Sequence, residues 1–322
     1  MINSNNLRIS LDRREPNSDV DFISHAHTDH LGAAKSSKMV LASDETIQLI
    51  EQSQNMTIQN KSNGCNFQLI EAGHMLGSRQ LVANDDKTGK RITYTGDFQT
   101  VRSKTSKPID VRETDVLIMD STYEDPLVKF DDKFEVESII QDWTSRKLNQ
   151  GIVIFSAYAM GKAQELISIF NDAGIKPVVT KKISKISKVY VDNGIKLDYA
   201  SEYDPESNYE EIVRDNFVGI SETRNLYSLK EFLQTVHNKK VFTAMATGFA
   251  KRFSFRTDAQ FPLSDHADFS QSVEYIEATS AKKVLTYGPN ASSFAKNLCN
   301  DGYNAIPFNE SVFSANPINN NK

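Results

Sequence analysis

The chain has 322 residues, 39% of them hydrophobic and 25% charged, with a formal net charge of −5 at pH 7. Such a chain can bury a sizeable core, and its length suggests two lobes or one domain carrying a large insertion. The acidic balance excludes a protein whose whole surface clamps nucleic acid, while leaving room for a local basic groove. No run is apolar and long enough to cross a bilayer, and the opening "MINSNNLRIS" lacks the basic start and apolar stretch of a signal peptide, which points to a cytoplasmic protein without membrane contact. Cys65 and Cys299 lie far apart without CxxC spacing, so they predict neither a disulfide framework nor a thiolate zinc site and read as packing residues.

In chain order, strands are expected at "VDFIS" (20–24), "RITYTG" (91–96), "DVLIMD" (115–120), "GIVIFSAY" (151–158), "KKVFTAMA" (239–246) and "KKVLTYG" (282–288). Helices are expected over "SDETIQLIEQ" from Ser43, over "FEVESIIQDWTSRKLNQG" to Gly151, over "KAQELISIFNDAG" to Gly174, and over "SLKEFLQTVHN" with a Ser228/Glu231 capping box. Together they predict a mixed α/β fold. The stretch "KPVVTKKISKISK" (176–188) holds five lysines and no acid, and reads equally as a track for a nucleic-acid backbone or as a solvated face. "SANPINNNK" (314–322) predicts a disordered tail.

Half of the six histidines sit in "SHAHTDHLGA" (24–33). His25 and His27 are two apart where a strand runs out, so an extended backbone puts both rings on one side, and the following turn can swing Asp29 and His30 around the same point. That density of N and O ligands fits a zinc ion better than a merely polar turn. His74 lies between glycines in "EAGHMLGS", and Asp97 follows a strand and a glycine in "TYTGDF". Taken singly, each reads as an ordinary loop histidine or turn aspartate.

In order and approximate spacing, His25-x-His27-x-Asp29-His30, His74 and Asp97, with Asp12 upstream in "ISLDRRE", resemble the metallo-β-lactamase superfamily. "MDSTYEDP" (119–126), "FSAYAMGKAQEL" (155–166) and "PLSDHADFSQSVEYI" (262–276) narrow the resemblance to the β-CASP branch, which includes the mRNA 3′-end processing endonuclease and Artemis-type DNA repair nucleases. The resemblance implies a four-layer αβ/βα sandwich built from residues 1–123 and 263–313, with a β-CASP lobe inserted over 124–262. It implies that His25, His27 and His74 hold one zinc, that Asp29 and His30 hold another, and that Asp97 bridges the two, with Asp12 orienting a ligand. Asp29, Asp97, Asp120 and His266 would carry the chemistry, His266 contacting the scissile phosphate and pairing with Asp120. Ser156, Lys162 and, within "ATGFAKR", Lys251 and Arg252 match positions that line the phosphate path.

Two departures bear on the metal and the substrate. The RNA-processing members usually carry a second-site histidine where this chain has Tyr287, and a neutral phenol is a poor ligand. One zinc is therefore expected to be held firmly and the second weakly. Tyr287 together with an aspartate at Asp120 resembles the DNA repair members slightly more than the RNA endonucleases. The expected function is a zinc-dependent nuclease acting on single-stranded nucleic acid or its ends, with a homodimer left open. Against it stand a small-molecule hydrolase of the same superfamily, which the β-CASP motifs disfavour, and a non-catalytic processing subunit, which the intact ligand set disfavours.

Overall fold

The computed structural model describes residues 1–34, 38–58, 60–61, 67–222 and 226–308. Cys65 and the expected tail at 314–322 lie outside these residues. Strands β1 (Ile2–Ser4), β2 (Leu7–Leu11), β3 (Val20–Phe22) and β4 (Met39–Leu41) form a first sheet in that order, antiparallel between β1 and β2 and parallel thereafter. Helix α1 (Asp44–Gln54) starts where expected, the Ser43 hydroxyl accepting from the Thr46 amide at 3.1 Å. Next come β5 (Gln68–Glu71), β6 (Arg79–Asn84), β7 (Arg91–Tyr94) and β8 (Val116–Asp120), four strands of a six-stranded second sheet.

The middle of the chain builds a sheet of its own. It runs through α2 (Lys133–Leu148), β9 (Ile152–Ala157), α3 (Lys162–Asp172), β10 (Val178–Val179), α4 (Lys181–Asp192), α5 (Tyr209–Ile212), β11 (Val218–Glu222), α6 (Leu226–His237), β12 (Val241–Ala246) and β13 (Ala259–Phe261). Its strands are all parallel, in the order β10-β11-β9-β12-β13. The chain then returns through α7 (Phe269–Thr279), β14 (Lys283–Tyr287), α8 (Ala291–Asn300) and β15 (Ala305–Pro307), completing the second sheet as β15-β14-β8-β7-β6-β5.

Strand alternation explains the layers. In β8, Val116 and Ile118 face the interior between the first two sheets, with Ile9, Phe22 and Leu81, whereas Leu117 and Met119 face α7 and α8 through Tyr275 and Phe294. In β9, Ile152 and Ile154 pack toward α6, while Val153 and Phe155 enter the largest core. That core is shared: Ile23, Val40, Leu49 and Ile50 of the first part join Phe155, Leu166, Phe170 and Tyr190 of the middle part.

One run gains its structure and two local expectations change. The lysine-rich run is mostly helix α4, because Ile183, Ile186, Val189 and Tyr190 form a buried stripe between the lysines. Ser228 does not cap α6, which already runs from Leu226, since burying Leu226 and Leu233 on one stripe draws the helix upstream. Cys299 is exposed near the end of α8 rather than packed, its thiol donating to the Ala305 carbonyl at 3.0 Å.

Phe155 is fully buried and packs its ring on Phe170 and Phe261. Phe155→Ala is expected to cost about 3–5 kcal/mol, measured as a lowered urea midpoint, with probes in β3 and in β9 losing structure in the same transition.

Candidate metal centre

Strand ends deliver the side chains. The Ile23 amide still bonds the Leu41 carbonyl at 2.9 Å, so the chain beyond β3 remains extended as it presents His25 and His27. A 3-10 turn at Thr28–Ala33 then brings His30 back toward the same point. Gly73, at φ +84°, lets the chain turn into His74; a Cβ there would lie 2.3 Å from the Gln99 carbonyl oxygen. Gly96, at φ +59°, does the same before Asp97, where a Cβ would lie 2.5 Å from that of Ser24.

His25, His27, His74 and Asp97 form a compact group whose ligand atoms all lie within 4.8 Å of one another. His25 Nε2 is 3.6 Å from Asp97 Oδ2, His74 Nε2 is 3.9 Å from the same oxygen, and His27 Nδ1 is 3.0 Å from His74 Nε2. A tetrahedral ion with bonds of about 2.0–2.2 Å separates its ligand atoms by roughly 3.3–3.6 Å, so the group is the right size for one. The other ring nitrogens have partners elsewhere. His25 Nδ1 meets Ser24 Oγ at 3.0 Å, His27 Nε2 meets the Met160 carbonyl at 3.3 Å, and His74 Nδ1 meets the Asp265 carbonyl at 2.8 Å. Such contacts hold a ring so that its free nitrogen can ligate. His25 Nε2 is buried with no hydrogen-bond partner, an orphan that a cation would satisfy. Burial holds the His25 ring neutral, well below its ordinary pKa, and lowers that of His74 to about 3, the protonation state that ligation needs.

Around His30 the grouping is looser. Its Nε2 lies 3.4 Å from Asp97 Oδ1 and 3.7 Å from Asp29 Oδ2, so the two Asp97 oxygens face different histidines. Asp29 is mostly exposed, and with His30 and Asp97 it does not form one of the compact groups found among the described residues. Asp12 holds His30 in place: its Oδ2 lies 2.8 Å from His30 Nδ1 and accepts from Tyr94 and Ser24 hydroxyls at 2.7 Å each. Asp12 does this from a left-handed backbone (φ +55°), with its Oδ1 accepting the Ser24 amide at 2.6 Å. Burial opposes charge on His30, but Asp97 and Asp12 outweigh it and raise its pKa to about 12. Tyr287 ends β14 with its ring 5.2 Å from that of Tyr94; burial, Tyr94 and the nearby carboxylates hold its phenol protonated.

His266 stands on the other side of Asp97. Its Nδ1 is 3.0 Å from Asp120 Oδ2 and its Nε2 is 3.9 Å from Asp97 Oδ2. Burial favours the neutral ring, yet Asp120 and Asp97 hold its pKa up at about 9. Asp265 is the residue that the sequence reading passed over, although it sat inside the quoted "SDHAD". It groups with His74 and His266, and a buried chain of charges reaches it: Lys133 to Glu165 at 2.8 Å, Glu165 to Lys162 at 3.3 Å, Lys162 to Asp265 at 3.5 Å.

A cleft of about 550 Å³ exposes these groups, lined by His27, His30, Asp97, Asp120, Asp265 and His266 among others. Lys162 lines it too, but with its ammonium engaged by two acids. The Gly161 amide, at the start of α3, already donates to Gln164 Oε1 at 2.8 Å. Ser156 is fully buried in β9, while Lys251 and Arg252 pair with Asp131 at 2.7 Å and Asp125 at 2.6 Å; none of these three lines the cleft. From the lysine run, Lys182 reaches the wall of the cleft.

The architecture and this centre together define a mixed α/β sandwich with a histidine-rich site suited to a divalent metal. No protein-family model matches the chain. It is 27% identical over 301 residues to a "Probable DNA ligase" of Opitutus terrae, covering 90% of this chain and 28% of that protein. It is 31% identical over 185 residues to an "RNase J-like protein" of Methanocaldococcus jannaschii, covering 48% of this chain and 44% of the relative. It is 27% identical over 172 residues to the "DNA cross-link repair protein SNM1" of Arabidopsis thaliana, covering 48% and 35%. The chain thus spans less than half the length of these curated relatives. A crystal structure of a protein of unknown function from Enterococcus faecalis shares the fold, with a TM-score of 0.61 at 12% identity over 92% of this chain and 81% of that one. These relatives support the resemblance of the chain to the metallo-β-lactamase/β-CASP nucleases. Among the described residues no helix is long and apolar enough to cross a membrane.

In the metal-free protein the folded state keeps the His266 proton that an unfolded chain releases near the ordinary value of 6.5. Stability is therefore expected to fall as pH rises from there to about 9, read as a declining melting temperature in chelator, and Asp120→Asn should flatten that limb.

Proposed function

We propose that the chain is a zinc-dependent nuclease that hydrolyses phosphodiester bonds in single-stranded nucleic acid or at its ends, with DNA preferred. The observation that carries this reading is the four-ligand group of His25, His27, His74 and Asp97, which meets the cleft through His27 and Asp97 with the His266–Asp120 pair beside them. An ion held by those four side chains would supply Lewis-acid polarisation of a phosphoryl oxygen and a lowered pKa for water. Asp29 and His30 would hold a second, weaker ion, with Asp97 between the two.

The protein's own groups do the rest. His266, kept charged by Asp120, donates from Nε2 to a phosphate oxygen and can protonate the leaving oxygen. Asp120 is the positioning partner, itself accepting from Thr122 Oγ1 at 2.8 Å. We read residues 124–262 as the β-CASP insertion covering the cleft, with 1–123 and 263–313 as the two halves of the metal-binding domain. The preference for DNA draws support from the named DNA ligase, which aligns with 90% of this chain, and from the named cross-link repair protein. RNA processing is the second reading, favoured by the RNase J-like relative.

Asp97→Ala is expected to abolish hydrolysis of end-labelled single strands and to empty the metal site, followed by elemental mass spectrometry. His266→Ala should lower kcat by about 10²–10⁴ while the three-histidine site keeps its metal. Full activity after exhaustive chelation would overturn the proposal.

Tyr287→His should raise the metal stoichiometry toward two per chain, because a neutral imidazole ligates where a buried, protonated phenol does not. Matched DNA and RNA strands then decide the sugar: faster cleavage of DNA supports the preference, and cleavage confined to RNA removes it.

A further inference from the structure

A second cavity, of about 290 Å³, opens beside the cleft and shares Tyr158, Thr247 and Phe249 with it. Its chemistry is of another kind. Phe253, Phe255, Met245, Ala157 and Ala246 complete the lining, and none of the lining residues is charged. A phosphate would find no charged partner there, whereas a flat aromatic ligand would find faces and edges on several sides. The volume is near the lower end of small-molecule pockets, which span roughly 300–1,000 Å³.

Topology gives this position a reason. Ala157 ends β9 and Tyr158 follows it, while Met245 and Ala246 end β12 and Thr247 follows it. These parallel strands are neighbours, but β9 leads by way of α3 to β10 at one edge of the sheet, while β12 leads to β13 at the other. Connections that leave two adjacent strands in opposite directions open a crevice at their carboxyl ends, where open α/β sheets bind ligands. The pocket occupies that crevice.

A line of rings joins it to the candidate catalytic centre. His266 lies 5.4 Å from Tyr123, Tyr123 lies 5.0 Å from Phe249, and Phe249 lies 6.1 Å from Phe253, centroid to centroid. Tyr158 and Phe253 are each 57% exposed, an unusual outlay of aromatic surface at the mouth of a polar cleft.

We propose that this pocket is a subsite for one unpaired nucleobase of the strand whose phosphodiester lies at His266. The inference rests on the nuclease reading above and deepens it by naming what recognises the substrate. Stacking on aromatic rings tolerates every base, so the pocket selects for a base that is free of its complement rather than for a sequence. A paired base is held in its stack and must first leave it before it can enter. Tyr158, Phe249, Phe253 and Phe255 are the residues that set this preference.

The test uses short single-stranded DNA carrying 2-aminopurine at successive positions, bound to the full chain in chelator so that nothing is cut. One position is expected to lose fluorescence on binding, and replacing that nucleotide with an abasic one should weaken wild-type affinity on the order of tenfold. Phe253→Ala and Phe255→Ala should each abolish the quench and weaken binding similarly, and the abasic strand should then bind them no more weakly than the normal strand does. Equal wild-type affinity for normal and abasic strands overturns the pocket without depending on whether any variant folds. The same strands with metal separate the two claims. Hydrolysis without a position-specific quench removes the pocket and keeps the nuclease; a quench without hydrolysis in the metal-loaded protein keeps a base-binding pocket and removes the nuclease.

Discussion

Everything at the centre of this protein turns on how one carboxylate, Asp97, is kept ionised while almost wholly enclosed. Burial alone would protonate it, and a buried anion without partners is untenable. Its charge survives because the charged ring of His30 faces it, with charged His266 close by. The price of that arrangement is geometric: each ring must reach one small volume from a different element. Those rings come from the turn after β3 and from the segment before α7, so the carboxylate sets the meeting point of distant parts of the chain.

The enclosing elements share a common logic. Asp120 and Tyr287 each end a parallel strand of the second sheet, and Asp97 follows β7 on that same edge. His25 and His27 follow β3, a parallel strand of the first sheet. Carboxyl ends of parallel strands release the chain from ladder hydrogen bonding, so polar side chains can be aimed there without disturbing the layers behind them. The apolar alternation in β8 continues undisturbed up to Asp120. Stability and reactivity are in this way written on successive residues of one strand.

Much of this was legible in the sequence, and the parts that were not have identifiable causes. The histidine cluster was readable because four of its candidate ligands fall within six residues, and β8 and β9 because their apolar runs are unbroken. Helix α4 was hidden by its lysines, whose charge masked Ile183, Ile186 and Tyr190 at helical spacing. Strands as short as β4 and β15 leave too few residues for a period to show. Asp265 was within reach, but its partners His74 and Lys162 are distant in sequence and meet it only through folding. Ser156 and Arg252 are the converse: motif matches on the middle segment whose side chains turn to the core and to Asp125.

One contact carries a consequence for how the two parts of the molecule move. His27 Nε2 is held by the backbone carbonyl of Met160, a residue of the middle segment, while its Nδ1 faces His74. The tautomer that leaves Nδ1 free is thus imposed across the cleft. A displacement that carries Met160 away also releases the ring to rotate or to exchange tautomers, and cation affinity falls with it. Linkage makes the relation reciprocal: whatever free energy the cation gains from the closed arrangement, it returns as resistance to opening. A cation held by these side chains would then act as a latch, and its concentration would bear on how often the cleft opens.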